Sequence, residues 1–262
     1  MSFNKIMRPS DGAAWVTGAS GGIGRALVLR LANKGWTVYA TARSEDDLNA
    51  LAAEADGTIV PAPGDVTDPQ AMADIVARIT SDGPLALAVL NAGVYTPMRA
   101  LNFEAATAKK MFDVNLTGVA NGLDPVLKAM IAQGTGHVAL TASVAGFRGL
   151  PDSAAYSATK AGLIAMAEAL AMDLVDLGVR ISVINPGFVE TEATSVNSFE
   201  MPFLMQPDEA AQRIADGLDK PGFEITFPRR FAWMLRAIGA LPNQLYIKAV
   251  RAMTGWDGTT KP

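Results

Sequence analysis

Thr17-Gly18-Ala19-Ser20-Gly21-Gly22-Ile23-Gly24 limits how this chain folds more than any other stretch. It follows the apolar run Ala13-Ala14-Trp15-Val16. It precedes Arg25-Ala26-Leu27-Val28-Leu29-Arg30-Leu31-Ala32, whose apolar positions repeat with helical periodicity. The order is strand, tight turn, helix. Gly18 is expected to take a backbone conformation closed to other residues. Gly22 and Gly24 carry no side chain, so a pyrophosphate and a neighbouring strand can come close. A helix starting here offers free N–H groups and the positive end of its dipole to phosphate. The spacing is Gly-x-x-x-Gly-x-Gly, a departure from the more familiar Gly-x-Gly-x-x-Gly.

The rest of the chain repeats the strand–helix theme. Strand-like apolar runs fall at 13–17, 37–41, 58–61, 86–90, 137–141, 179–184 and 223–227. Helical patterns lie near 22–34, 45–54, 69–81, 103–133 and 154–177. Such alternation predicts an α/β fold, a doubly wound parallel sheet of about seven strands with helices on both faces. The runs 85–90 and 179–184 are apolar almost throughout, as strands covered on both faces should be. Ligands in these sheets bind beyond the carboxyl ends of the strands. Gly18, Arg43, Asp65, Asn91, Ser143 and Pro186 all follow predicted strands. With 262 residues and half of them hydrophobic, one domain is expected, with a core over 1–228 and an extension over 229–262.

Tyr156-Ser157-Ala158-Thr159-Lys160 sets a phenol and an ammonium on one helix face. A phenol titrates near pH 10 and is by itself a poor proton shuttle at neutral pH. A cation beside it favours the phenolate. The pair therefore suits alcohol–ketone chemistry, where one proton must move. The spacing alone is ordinary for a surface helix; the glycine turn upstream is what makes it informative.

Together these landmarks resemble the short-chain dehydrogenase/reductase family. The matching residues are 17–24, Asp65-Val66, Asn91-Ala92-Gly93, Asn115, Ser143, Tyr156, Lys160 and Asn185-Pro186-Gly187 with Thr191, in the family's order. The resemblance implies a Rossmann-type fold and a nicotinamide cofactor. It implies that Tyr156 is the proton donor or acceptor and that Lys160 lowers its pKa and binds the nicotinamide ribose. Ser143 would hydrogen-bond the substrate oxygen, and Asn115 would hold a water linking Lys160 to solvent. Gly18, Ser20, Gly22, Ile23 and Gly24 would hold the dinucleotide. Asp65 and Val66 would meet the adenine, and Asn91, Ala92 and Gly93 would brace that side. Pro186, Gly187, Val189 and Thr191 would seat the nicotinamide.

Cofactor choice turns on the end of the second strand. Ala42 stands where NAD-selective relatives place an acid, and Arg43 follows it. A carboxylate repels a 2′-phosphate and a guanidinium pairs with it. NADP(H) is therefore preferred over NAD(H), with Ser44 offering a further hydrogen bond. Against this, Gly21 stands where many NADP-using relatives carry a basic residue.

The substrate side reads as apolar. Val94, Tyr95, Met98, Phe147, Leu150 and Phe188 fall near the motifs, and the segment 192–206 contains Phe199, Met201, Pro202, Phe203, Leu204 and Met205. Arg99 and Arg148 are the cations close by, so a highly charged substrate is not favoured. The segment from 229 onward carries six Lys or Arg against one acid, a local balance of +5 within a chain of net −4. Pro242 divides it into two short amphipathic helices. These suit the substrate cleft or a partner subunit; membrane contact is the less favoured alternative.

The composition excludes other classes. There is no cysteine, so no disulfide or thiolate metal site, and no metal is expected. One histidine, His137, precludes a multi-histidine site, and it is expected to open a strand. The polar stretch 1–11 does not read as a secretory signal, and no apolar run reaches the ~20 residues needed to span a bilayer. A cytoplasmic protein that does not bind nucleic acid is expected. The leading reading is an NADP-dependent carbonyl reductase or alcohol dehydrogenase acting on a medium-sized apolar substrate as a homodimer or homotetramer. The alternatives are an NAD-dependent hydroxysteroid- or retinol-like alcohol dehydrogenase, and a non-catalytic NADP(H)-sensing regulator.

Overall fold

Strand β1 (Ala13–Thr17) sends alternate side chains to opposite faces: Ala14 and Val16 enter one apolar cluster and Trp15 the other. The structure is a computed structural model that describes residues 5–55, 58–195 and 201–256. The other strands are β2 (Val38–Thr41), β3 (Ile59–Pro61), β4 (Leu85–Leu90), β5 (Gly136–Thr141), β6 (Val179–Pro186) and β7 (Glu224–Phe227). They form one parallel sheet of seven strands in the order β3-β2-β1-β4-β5-β6-β7. Each lies within two residues of its predicted run. Strand order reverses between β1 and β4, which opens a crevice at their carboxyl ends.

Helices cover both faces. On one side lie α1 (Gly22–Asn33) and α2 (Glu45–Ala52), together with α8 (Pro207–Leu218). On the other lie α3 (Pro69–Asp82), α5 (Gly118–Gln133) and α6 (Ala154–Leu174). The predicted helix near 103–133 is made of α4 (Ala105–Phe112), a π-helical turn (Asp113–Thr117) and α5. α8 is not marked by an apolar run in the sequence, because its buried face is built largely of alanine: Ala210, Ala211 and Ala215 beside Ile214 and Leu218. A four-residue turn, α7 (Glu192–Ser195), follows β6. The C-terminal segment forms α9 (Arg229–Gly239) and α10 (Asn243–Thr254), divided near Pro242 as expected. Among the described residues no helix is long and apolar enough to cross a membrane. His137 sits in β5 within the sheet, where its Nε2 meets Ser182 Oγ at 2.8 Å and burial holds its pKa well below the usual value.

Candidate active site

The crevice is built by the ends of β1 and β4. Thr17 Oγ1 accepts from the backbone N–H of Asn91 at 2.9 Å and of Ala92 at 3.1 Å, and Asn91 Nδ2 donates to Thr17 O at 3.2 Å. This stitching brings the glycine turn against β4. Gly18 has φ +70° and Gly22 has φ +51°, both left-handed. A Cβ on Gly24 would lie 2.0 Å from Gly18 O, so nothing larger fits there. At Gly21 a Cβ would meet nothing within 4 Å. No side chain caps α1 at Gly21, which leaves its first N–H groups facing the crevice.

Three of the expected catalytic side chains converge on the same crevice. Tyr156 and Lys160 come from the first turns of α6, and Ser143 from the segment after β5. Ser143 Oγ accepts from Ala145 N at 3.1 Å and donates to Pro186 O at 3.3 Å. Lys160 is buried, its Nζ donates to Thr141 O at 2.7 Å, and burial lowers its pKa to about 8. Tyr156 packs edge-to-face on Tyr95, with ring centres 5.0 Å apart. Burial pushes its phenol up to about 12, although a hydrogen bond with Ser143 acts in the opposite direction. The expected lowering of the phenol by Lys160 is not what this structure shows. The ammonium is itself desolvated and directed at a backbone carbonyl.

Asn115 stands in the π-helical turn and is fully buried. Its Oδ1 accepts from Val94 N at 2.7 Å, and its Nδ2 donates to Val94 O at 2.8 Å and Thr159 Oγ1 at 3.3 Å. The widened turn aims this carboxamide at the strand-end loop. The carboxamide is thus committed to the protein itself, and Asn115 does not line the cavity. A Cβ on Gly93 would lie 3.4 Å from Asn115 Oδ1 and 3.5 Å from Lys160 Nζ, so the pair flanks that glycine.

A cavity of about 1160 Å³ runs from the glycine turn past these side chains to Trp256. Every residue expected to hold the cofactor lines it except Ser44, whose Oγ instead accepts from Asp47 N at 3.2 Å and caps α2. Arg43 is exposed at its edge, close enough to Asp65 to help hold that carboxylate below its usual pKa, an effect led by the Thr67 N–H bond. Lys110 of α4 also lines the cavity, and no motif had marked it.

The expected substrate residues divide. Val94, Tyr95, Leu150 and Phe188 line the cavity. Phe147 does not; it lies beneath the guanidinium of Arg236, 4.4 Å from its ring centre. Phe203 does not line it either. It is 54% exposed and touches the outside of Phe231, with ring centres 5.9 Å apart. Met98 is buried under Val94 in a small cluster with Met111. Phe199 lies outside the described residues. What sequence reasoning left unplaced is the far wall: Phe231, Met234, Leu235 and Ile238 of α9 and Val250 and Met253 of α10 line the cavity. The C-terminal helices therefore cover the cleft.

Comparison with known proteins agrees with this architecture. The short chain dehydrogenase family model matches residues 12–200. An uncharacterized oxidoreductase of Myxococcus xanthus is 40% identical over 244 residues, covering 92% of this chain and 96% of that protein. The 3-oxoacyl-(acyl-carrier-protein) reductase FabG of Thermotoga maritima is 33% identical over 192 residues, 72% of this chain and 78% of that protein. Among solved structures, a short chain dehydrogenase from Burkholderia cenocepacia in complex with NADP matches with a TM-score of 0.81 at 24% identity, over 96% of this chain and 100% of that one. A variant of actinorhodin polyketide ketoreductase with NADPH matches with a TM-score of 0.74 at 27% identity, over 84% and 96%. A family match through most of the sheet, joined to a relative similar along nearly its whole length, leads to one conclusion: the chain belongs to the short chain dehydrogenase family.

Proposed function

We propose that this oxidoreductase interconverts a secondary alcohol and a ketone on a medium-sized apolar substrate with NADP(H). The carrying observation is that Tyr156, Ser143 and Lys160 open on the same cavity as the glycine turn and Arg43. The residues fit such a dinucleotide. The uncapped start of α1 and the glycine cradle suit a pyrophosphate. Arg43 suits a 2′-phosphate, and no carboxylate stands at Ala42 to repel one. Two solved neighbours were determined with NADP or NADPH. When bound, the cofactor would supply or accept the hydride.

In this reading Tyr156 gives its phenolic proton to the carbonyl oxygen, or takes one from the alcohol. Ser143 hydrogen-bonds the same oxygen and steadies the charge that develops there. Lys160 would support the tyrosine and, with the cofactor bound, would hold the nicotinamide ribose. Asn115 positions rather than reacts: it clamps the Val94 backbone beside the reacting groups. The lining around Leu150, Phe188 and Met234 favours an apolar substrate. Exposed Phe112, Ile131, Met172 and Leu177 lie on or next to α4, α5 and α6, which supports a homodimer or homotetramer joined there. The test is a screen of ketones and secondary alcohols with NADPH and NADH, followed by absorbance of the reduced nicotinamide. Turnover of apolar ketones with NADPH is expected; absence of turnover with either cofactor would overturn the reading.

A further inference from the structure

The wall made by α9 and α10 is largely apolar toward the cavity: Met234, Leu235, Ile238, Val250, Met253 and, just beyond, Trp256, with Thr254 bonded back to Val250 O. No charged side chain of these two helices lines it. The cations around it are engaged elsewhere. Arg99 lies 4.1 Å from the Trp256 ring centre, with Asp152 3.8 Å from its Nε. Arg236 donates to Glu224 at 2.7 Å.

Arg148 has a different task. It stands in the segment after Ser143 and reaches across to the α9–α10 connection. There it donates to Leu241 O at 2.8 Å, to Gly239 O and to Asn243 Oδ1. Its guanidinium also lies 4.2 Å from the Tyr246 ring centre, and Tyr246 OH donates back to Gly149 O at 2.6 Å. One planar group thus holds three acceptors and a ring around the point where the chain reverses, a geometry a lysine does not reproduce. The connection is tied to the same loop that carries Ser143, so this contact helps hold the wall at its distance from the reacting groups.

We infer that the α9–α10 wall binds an extended, unbranched apolar chain attached to the reacting carbonyl, and that Arg148 is the positioning residue that holds this wall in place. The inference rests on the carbonyl-reductase reading for its reaction, but not for its binding. Methionine and leucine at this wall match a flexible alkyl chain, and the two helices turn no ammonium or guanidinium toward the cavity to pair with a charged tail.

The test uses methyl ketones from butanone to decanone for kinetics and the matching secondary alcohols for equilibrium calorimetry, which needs no turnover. KM should fall roughly fourfold for each added methylene until the wall is filled, the fold-change that burial of one CH2 gives, while kcat changes little. Calorimetric affinity should rise in parallel. Arg148→Ala should flatten both slopes and Arg148→Lys should not restore them. Met234→Glu, which leaves the Arg148 contacts intact, should flatten them as well, with circular dichroism reporting the fold. Length-dependent alcohol binding without turnover would support the wall and defeat the reaction reading. Affinity independent of chain length in the intact protein, or slopes unchanged in a folded Met234→Glu protein, would overturn the inference.

Discussion

Lys160 Nζ lies 5.5 Å from the centre of the Tyr156 ring and donates to Thr141 O at 2.7 Å. Both groups are shifted by burial, in opposite senses: the phenol up to about 12 and the ammonium down to about 8. Each shift favours the neutral form, as desolvation requires. Ketone reduction needs the phenol protonated and, in our proposal, Lys160 charged. Below pH 8 both conditions hold. As pH rises through about 8, Lys160 loses its proton while Tyr156 keeps its own. We expect kcat/KM for reduction to fall about tenfold per pH unit above that point, since this quantity reports the free enzyme. A profile flat to pH 10 would show that the ammonium charge is not needed.

Tyr156→Phe removes the transferable proton and leaves the ring. Packing against Tyr95 survives. Turnover should drop by about 10²–10⁴, the usual contribution of a positioned acid or base, while the thermal midpoint and cofactor affinity change little. Retention of most activity in a steady-state assay would rule out the role.

Arg43→Ala should weaken NADPH far more than NADH. A hydrogen bond to a charged group contributes about 1.5–3 kcal/mol, so tenfold or more in Kd is expected for NADPH alone. Fluorescence titration with both cofactors measures it. Equal losses would show that Arg43 does not read the 2′-phosphate.

Gly24→Ala should be poorly tolerated, because its Cβ would lie 2.0 Å from Gly18 O and 2.7 Å from Asn91 Nδ2. At Gly21 the same atom meets nothing within 4 Å. Gly21→Arg should therefore fold normally and tighten NADPH, by adding a second cation near the phosphate end. A thermal melt and a cofactor titration compare the two. Equal destabilisation by both would contradict the turn geometry.

Truncation after Pro228 removes the wall that carries Met234, Ile238 and Val250. It also uncovers Val144 and Phe188, which pack with Phe231. KM for apolar ketones should rise and solubility should fall. The intact protein should not bind anionic vesicles. Salt-sensitive vesicle binding that truncation abolishes, with solution kinetics unchanged, would instead assign the helices to a membrane surface.

Much of the frame was legible along the chain. The alternation of Ala14, Trp15 and Val16 and the apolar continuity of β4 and β6 reflect period and burial, which depend only on neighbours in sequence. Less legible was α8, because alanine marks a buried face weakly when counted by hydrophobicity. Likewise Phe147 and Phe203 sit near site motifs in sequence, yet one packs under Arg236 and the other faces solvent. Proximity along a chain does not say which way a ring points.

The sequence by itself determined the sheet, the glycine turn and the pairing of Tyr156 with Lys160 on one helix face, since each follows from local backbone rules. Only the tertiary structure decided what the cations beside the cleft do. In sequence Arg148 and Arg99 are the cations nearest the expected pocket, with no sign of what they contact. In the fold Arg148 bonds to carbonyls of the α9–α10 connection and Arg99 rests on Trp256. Those contacts join residues about a hundred or more positions apart, and no local rule constrains them. They form because a partly buried guanidinium gains by finding acceptors, and the returning helices bring carbonyls, an amide and rings within reach.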